Sequence, residues 1–70
     1  MRKNELEANM KLYGDTGENL AQALHIARST LSSKMNGNYD FTQKEIRLIK
    51  ERYNLTAAEL DSIFFDIQVS

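Results

Sequence analysis

The chain has 70 residues, 41% of them hydrophobic, with nine basic and ten acidic side chains, one histidine and no cysteine or proline. This length allows one small domain over residues 1–70, and the cysteine and histidine counts exclude a disulfide framework and argue against any metal site. No apolar run is long enough to cross a membrane or to serve as a secretory signal, so a cytoplasmic protein is expected.

Five helices are predicted, which makes the expected fold all-α. Helix one covers roughly residues 4–13, with Asn4 as its cap and Gly14 closing it. Helix two begins after Thr16, which can cap it. Helix three follows a very short break. It stops at Asn36–Gly37, because asparagine and glycine commonly end a helix.

The last two helices carry the most specific start signals, because each begins with a complete capping box and a hydrophobic staple. Thr42 and Glu45 form the first box, and helix four is expected to run from there to about Tyr53. Thr56 and Glu59 form the second box, which starts helix five. Both starts are therefore predicted from local sequence alone.

Apolar side chains recur at helical spacing along all five helices, and they define the expected core. These side chains are Leu6, Met10, Tyr13, Leu20, Ala21, Leu24, Ile26, Leu31, Met35, Ile46, Leu48, Ile49, Tyr53, Leu60, Ile63, Phe64 and Ile67.

Residues 20–37 resemble the helix-turn-helix of lambda repressor and Cro-like phage regulators. In this stretch, a small residue, Ala21, stands where the two helices would cross closely, and Asn36–Gly37 ends the second helix. The starts of helices four and five are also similar to those of small phage and prophage regulators. The resemblance implies a five-helix, lambda-repressor-like DNA-binding domain with its helix-turn-helix at about residues 16–37.

Three positions depart from the pattern of that family. His25 stands at the turn, where the family usually has glycine, and there we expect a positive φ and an exposed imidazole. Gly17 opens helix two where many relatives carry a phosphate-binding glutamine, and Ala27 replaces the usual polar cap of the recognition helix. These two family contacts therefore cannot be carried over.

The resemblance places helix three in the DNA major groove, so its outward side chains become candidates for base contacts. Arg28 is the first choice, because it alone can make a bidentate contact with guanine O6 and N7. A solvated or phosphate-bound Arg28 and an ordinary surface role for Ser32 remain the alternatives. The predicted base-contacting residues are Arg28, Ser29, Ser32 and Ser33.

Phosphate contacts are expected from polar side chains that flank helix three, since they supply N–H, hydroxyl and charged donors. Residues 25–52 carry a net charge of +3, although the whole chain carries −1. The segment that would face DNA is therefore basic. For the whole protein, no cofactor, metal or small-molecule ligand is expected. The predicted phosphate-contacting residues are Thr30, Lys34, Asn36, Asn38 and Lys44.

A homodimer on a palindromic double-stranded operator is expected, because one recognition helix contacts too few bases to find an operator alone. Residues 65–70 alternate apolar with polar side chains, so the chain could end in a short strand. Pairing of two such strands across a two-fold axis would bury Phe65, Ile67 and Val69. The alternative is that these three side chains fold back on their own core.

An enzymatic function is the alternative to a binding function. The only nucleophile with a possible general base would be a serine near His25. A catalytic serine needs an oriented base and an oxyanion hole in a water-excluding cleft, which one small core does not provide. We therefore expect no enzymatic activity. A solvated acidic face, rather than a cation site, is expected from Glu59, Asp61 and Asp66.

The main rival to DNA binding is a protein-binding module, either an antirepressor or an adaptor that uses the same fold to contact another regulator. An antitoxin, or the N-terminal half of a larger repressor, would have a similar sequence. Because no second domain for ligand sensing is expected, the favoured interpretation is a Cro-type regulator that represses by operator occlusion. It would act in a bacterial cell or a phage-infected host.

Overall fold

The computed structural model describes residues 1–65 as five α-helices, and residues 66–70 lie outside the described part. The all-α five-helix fold is therefore confirmed, whereas the predicted strand, with Ile67 and Val69, falls outside the described residues. No helix within residues 1–65 is long and apolar enough to cross a membrane. The helices are α1 (Lys3–Leu12), α2 (Gly17–Ala23), α3 (Arg28–Met35), α4 (Gln43–Arg52) and α5 (Ala57–Phe65).

Three predicted threonine caps are confirmed at the starts of α2, α4 and α5. Thr16 Oγ1 accepts a hydrogen bond from the backbone N–H of Asn19 at 3.1 Å. At Thr42 and Thr56, the hydroxyl accepts from the backbone N–H of the glutamate three residues on, at 3.1 Å in both boxes. Each glutamate accepts in turn from the threonine N–H at 2.9 Å, so both capping boxes are complete.

The predicted cap at Asn4 is wrong, because α1 begins at Lys3 and Asn4 lies inside its first turn. Arg2 occupies the N-cap position and makes no side-chain cap hydrogen bond. Its backbone N–H donates to the carbonyl of Ile63 at 2.7 Å. The start of α1 is therefore tied to α5 by a tertiary contact that local sequence does not reveal.

Helices α1 to α4 all end in a Schellman motif, in which the residue after the C-cap adopts a positive φ. At the end of α2, the N–H of His25 donates to Gln22 O at 3.1 Å and the N–H of Ile26 donates to Ala21 O at 3.0 Å. The positive φ and the exposed side chain predicted for His25 are thus confirmed. The four residues are Gly14 (φ 65°), His25 (φ 59°), Gly37 (φ 85°) and Asn54 (φ 51°).

His25→Gly is expected to raise the free energy of unfolding by up to about 1 kcal/mol, because glycine adopts a positive φ without the steric strain of a Cβ atom. His25→Ala is the matched control and should not raise stability, since alanine keeps that strain. Urea denaturation of the three proteins measures both differences. A His25→Gly variant less stable than the wild type would contradict this explanation of the turn.

The core forms where the apolar stripes of the five helices meet. Within it, α2 and α3 pack against each other across the four-residue turn 24–27, and α1 packs against α5. Five predicted core residues are only partly buried, namely Ile26, Ile46, Leu48, Leu60 and Phe64. Tyr13 is 50% exposed. The buried apolar residues are Leu6, Met10, Leu20, Ala21, Leu24, Leu31, Met35, Ile49, Tyr53, Leu55 and Ile63.

Candidate nucleic-acid interface

The outer face of α3 carries the side chains predicted to contact bases. Leu31 and Met35 point into the core, where they are 1% and 8% exposed. No acidic residue lies on α3, so its outer face presents one guanidinium group and hydroxyl groups. Of the four predicted base-contacting residues, Arg28, Ser29 and Ser32 are exposed and Ser33 is half-buried.

The first turn of α3 has no side-chain cap. Ala27 occupies the N-cap position and makes no cap hydrogen bond. The first N–H groups of α3 therefore have no side-chain acceptor within residues 1–65. The positive end of the helix dipole coincides here with the guanidinium of Arg28, which favours an anionic partner.

The Arg28 side chain is exposed and makes no hydrogen bond or ion pair within residues 1–65. Its guanidinium lies against Gly17, the first residue of α2. Arg28 lines a cleft of about 190 Å³ together with Ser32 on α3 and Lys3 and Glu7 on α1. Its five N–H donors are thus available to a ligand.

Lys34, predicted to contact phosphate, is engaged inside the protein. Its Nζ donates to Oε1 of Glu45 at 2.5 Å, and the two side chains are 12% and 9% exposed. The same ammonium lies 5.9 Å from the centroid of the Phe41 ring. This ion pair joins α3 to α4. A phosphate would have to displace a largely buried carboxylate to reach Lys34, so Lys34 is not among the proposed DNA contacts.

Glu45 is shared between this ion pair and the capping box of α4. Burial raises the pKa of its carboxyl, but the hydrogen bonds from Lys34 and from the Thr42 N–H outweigh burial and hold the pKa below its usual value. The carboxylate therefore remains ionised at neutral pH. It keeps the last turn of α3 docked against the start of α4.

Lys3 is brought to the C-terminal end of α3, where it contacts a predicted phosphate-binding residue. Its Nζ donates to Oδ1 of Asn36 at 2.9 Å on the protein surface. Lys3 was not predictable as part of this site, because it lies 33 positions from Asn36 along the chain. A cation therefore lies beside Asn36 at the exposed end of the candidate helix.

The three remaining predicted phosphate contacts keep unused side chains. Thr30 is half-buried, whereas Asn38 and Lys44 are exposed. None of these side chains makes a hydrogen bond or ion pair within residues 1–65. Asn38 lies in the connection that follows α3, and Lys44 lies in the first turn of α4 beyond that connection.

The basic segment 25–52 presents less free positive charge than its sequence suggests. Lys34 is paired with Glu45, and Arg52 with Asp15, which comes from outside the segment. Four of its six basic residues are exposed and have no ion-pair partner within residues 1–65: Arg28, Lys44, Arg47 and Lys50.

The Asp15 carboxylate holds the start of α2 against the end of α4. It accepts hydrogen bonds from Nε and Nη2 of Arg52 at 2.6 and 2.9 Å and from the Tyr53 hydroxyl at 2.6 Å. The hydrogen bond from Arg52 lowers the pKa of Asp15 to about 2. Burial, reinforced by the hydrogen bond to Asp15, raises the pKa of Tyr53. This cluster therefore positions the α2–α3 unit on the rest of the domain.

Asp15→Asn is expected to lower the free energy of unfolding at neutral pH by about 1 to 2 kcal/mol, a figure reduced for the partial exposure of Arg52. The carboxyl has a pKa of about 2 in the folded protein against an ordinary value of 3.8, so the folded state binds the proton more weakly. Its contribution is therefore complete above a pH of about 4 and is lost as the pH falls toward about 2.

Urea denaturation across that pH range measures the effect of Asp15→Asn. Asp40→Asn is the control, because Asp40 is exposed and its carboxylate has no partner within residues 1–65. The control should change stability by less than about 0.5 kcal/mol. Parallel losses of stability by the wild type and Asp15→Asn between pH 4 and pH 2 would contradict the role of Asp15.

The histidine and serine pairing considered for catalysis is not formed. The His25 imidazole makes no hydrogen bond to Ser29, Ser32 or Ser33. Within residues 1–65, every buried side-chain nitrogen or oxygen has a hydrogen-bond partner. The same part of the chain holds no group of three histidine, aspartate or glutamate side chains placed to bind a metal ion.

The outer face of α3 and the residues around its two ends are thus the candidate interface. None of the protein families, curated proteins and solved structures compared with this chain matches it.

Proposed function

We propose that the chain is a sequence-specific double-stranded DNA-binding regulator of the Cro or repressor type, which acts by occluding its operator. The observation that carries this proposal is the α2–α3 unit, whose second helix exposes Arg28, Ser29 and Ser32 and leaves Ser33 half-buried. An exposed helix fits the major groove of B-DNA, where a guanidinium and hydroxyl groups can contact base edges. The proposal includes no enzymatic step, cofactor or small-molecule ligand.

In this proposal, phosphate contacts lie on both sides of the groove helix. Thr30, Asn36, Asn38 and Lys44 keep the roles predicted from the sequence, and Lys3 joins them because its ammonium lies beside Asn36. These side chains fix the register of the protein on the duplex without reading its sequence.

The proposed regulator is a homodimer on a palindromic operator, in the cytoplasm of a bacterial cell or a phage-infected host. Phe65 is 53% exposed at the end of α5. It lies on a groove of about 470 Å³ that Tyr39, Phe41 and Phe64 also line. An exposed aromatic residue beside a groove with three other aromatic side chains favours contact with a second copy, to which Ile67 and Val69 would also contribute.

A protein-binding role, as an antirepressor or adaptor, is the alternative function. It is favoured by the internal pairing of Lys34 and Arg52, which reduces the free positive charge of the basic segment. It is also favoured by Leu12, which is 79% exposed on α1. Such a protein would contact another regulator through an apolar surface and would not need a free cationic face.

Retention on heparin and fluorescence anisotropy with a random-sequence duplex separate the two functions. A DNA-binding regulator should be retained at low salt, and its affinity for the duplex should fall with salt. The slope of log K against log salt should be about −2 to −4 per chain, since each phosphate neutralised by a lysine or arginine contributes about −0.9. Flow-through at low salt with no change in anisotropy would support the adaptor.

A further inference from the structure

Gly17 differs from the other two glycines of the chain in what surrounds it. Gly14 and Gly37 have positive φ angles, and a Cβ atom built on either would meet no atom within 4 Å. Gly17 does not adopt a positive φ, so its backbone conformation does not require glycine. The cap of α2 does not require it either, because the Thr16 side chain supplies that hydrogen bond.

The space beside Gly17 is occupied by the guanidinium of Arg28. A Cβ atom at position 17 would lie 2.7 Å from Nε, 3.1 Å from Cζ and 3.2 Å from Nη2 of Arg28. All three distances are shorter than ordinary van der Waals contacts, so any larger residue at position 17 would displace the guanidinium. Arg28 makes no hydrogen bond or ion pair within residues 1–65, so no polar contact there holds it in place.

We propose that Gly17 is a positioning residue for Arg28, and that it sets the base position which Arg28 reads. The missing side chain lets the guanidinium lie at the junction of α2 and α3, in the cleft that Ser32 also lines. This inference rests on the proposed DNA-binding function. Gly17 itself supplies no side chain to the DNA and acts through the direction of the Arg28 side chain.

Gly17→Ala separates positioning from stability, because the atoms that must move belong to the flexible end of an exposed side chain. The variant should melt near the wild-type temperature, since the φ of residue 17 suits alanine and the helix interior is unchanged. The full chain and this variant are then used to select bound sequences from a pool of random duplexes. Arg28→Ala and the double variant are selected in parallel.

The wild type should prefer one base at the Arg28 position by roughly 5- to 150-fold, as expected for a bidentate contact. Gly17→Ala should reduce that preference by about threefold or more and leave the other positions unchanged. In the Arg28→Ala background, adding Gly17→Ala should have no further effect. Such coupling would not arise from a purely structural role of Gly17.

Two results would overturn the inference. Gly17→Ala could keep the wild-type preference at every position, or it could cause the same loss with and without Arg28. A wild-type chain that enriches no sequence would instead refute the proposed function. In that case, the packing of Arg28 against Gly17 is tested without DNA, by a nuclear Overhauser effect between the Gly17 Hα and Arg28 Hδ protons. Its presence would support the positioning of Arg28 by Gly17, and its absence would overturn that positioning.

Discussion

Arg28→Ala is expected to weaken binding to the selected operator by about 1 to 3 kcal/mol and to abolish the preference at one base position. The guanidinium is exposed and has no partner within residues 1–65, so its removal takes away a ligand contact rather than core packing. Fluorescence anisotropy with the operator and with its single-base variants measures both effects. Urea denaturation should show stability within about 0.5 kcal/mol of the wild type.

Lys44→Ala is the matched control for Arg28→Ala, because Lys44 is also an exposed cation without a partner within residues 1–65. As a phosphate contact, it should weaken binding to all duplexes about equally and reduce the salt slope by about one unit. Identical effects of the two variants on every sequence tested would contradict the assignment of Arg28 as a base-contacting residue.

Deletion of residues 66–70 is expected to convert a dimer into a monomer and to weaken operator binding by about 100-fold or more, because the two half-sites are no longer bound together. The basis for this expectation is Phe65, exposed at the end of α5 beside a groove that Tyr39, Phe41 and Phe64 also line. Removing the apolar Ile67 and Val69 would leave that surface without its proposed partner. Sedimentation at micromolar concentration measures the state of assembly, and anisotropy measures the affinity.

Leu12→Ser is the control for this deletion, since Leu12 is an even more exposed apolar residue and does not line that groove. The variant should remain a dimer with unchanged operator affinity. A monomeric full chain would contradict the proposed interface. So would a truncated chain that remains a dimer with wild-type affinity.

Helix starts were predictable from the sequence wherever the stabilising contact is local. Thr42 and Thr56 each bond to a glutamate three residues on, and that spacing is visible in the sequence. Two helix ends were signalled by Gly14 and Gly37, because glycine readily adopts a positive φ. The same conformation at Asn54 was not predicted, since asparagine tolerates a positive φ without requiring one.

The outer face of α3 was predictable because helical periodicity separates Leu31 and Met35 from the outward positions. Partners of long charged side chains were not predictable, since they depend on how distant helices pack. Lys34 pairs with Glu45 across the α3–α4 connection, and no local pattern distinguishes it from Lys44. The space at Gly17 was equally hidden, because the residue that fills it comes from the next helix.

Selection of bound sequences from random duplex DNA by the full chain, at low salt, tests sequence-specific recognition most directly. The proposed regulator should enrich a palindromic site whose half-sites lie about one helical turn apart, which would establish binding, specificity and two-fold symmetry together. Recovery of the input pool without enrichment, by a protein shown to be folded, would contradict the assignment of this domain as an operator-binding regulator.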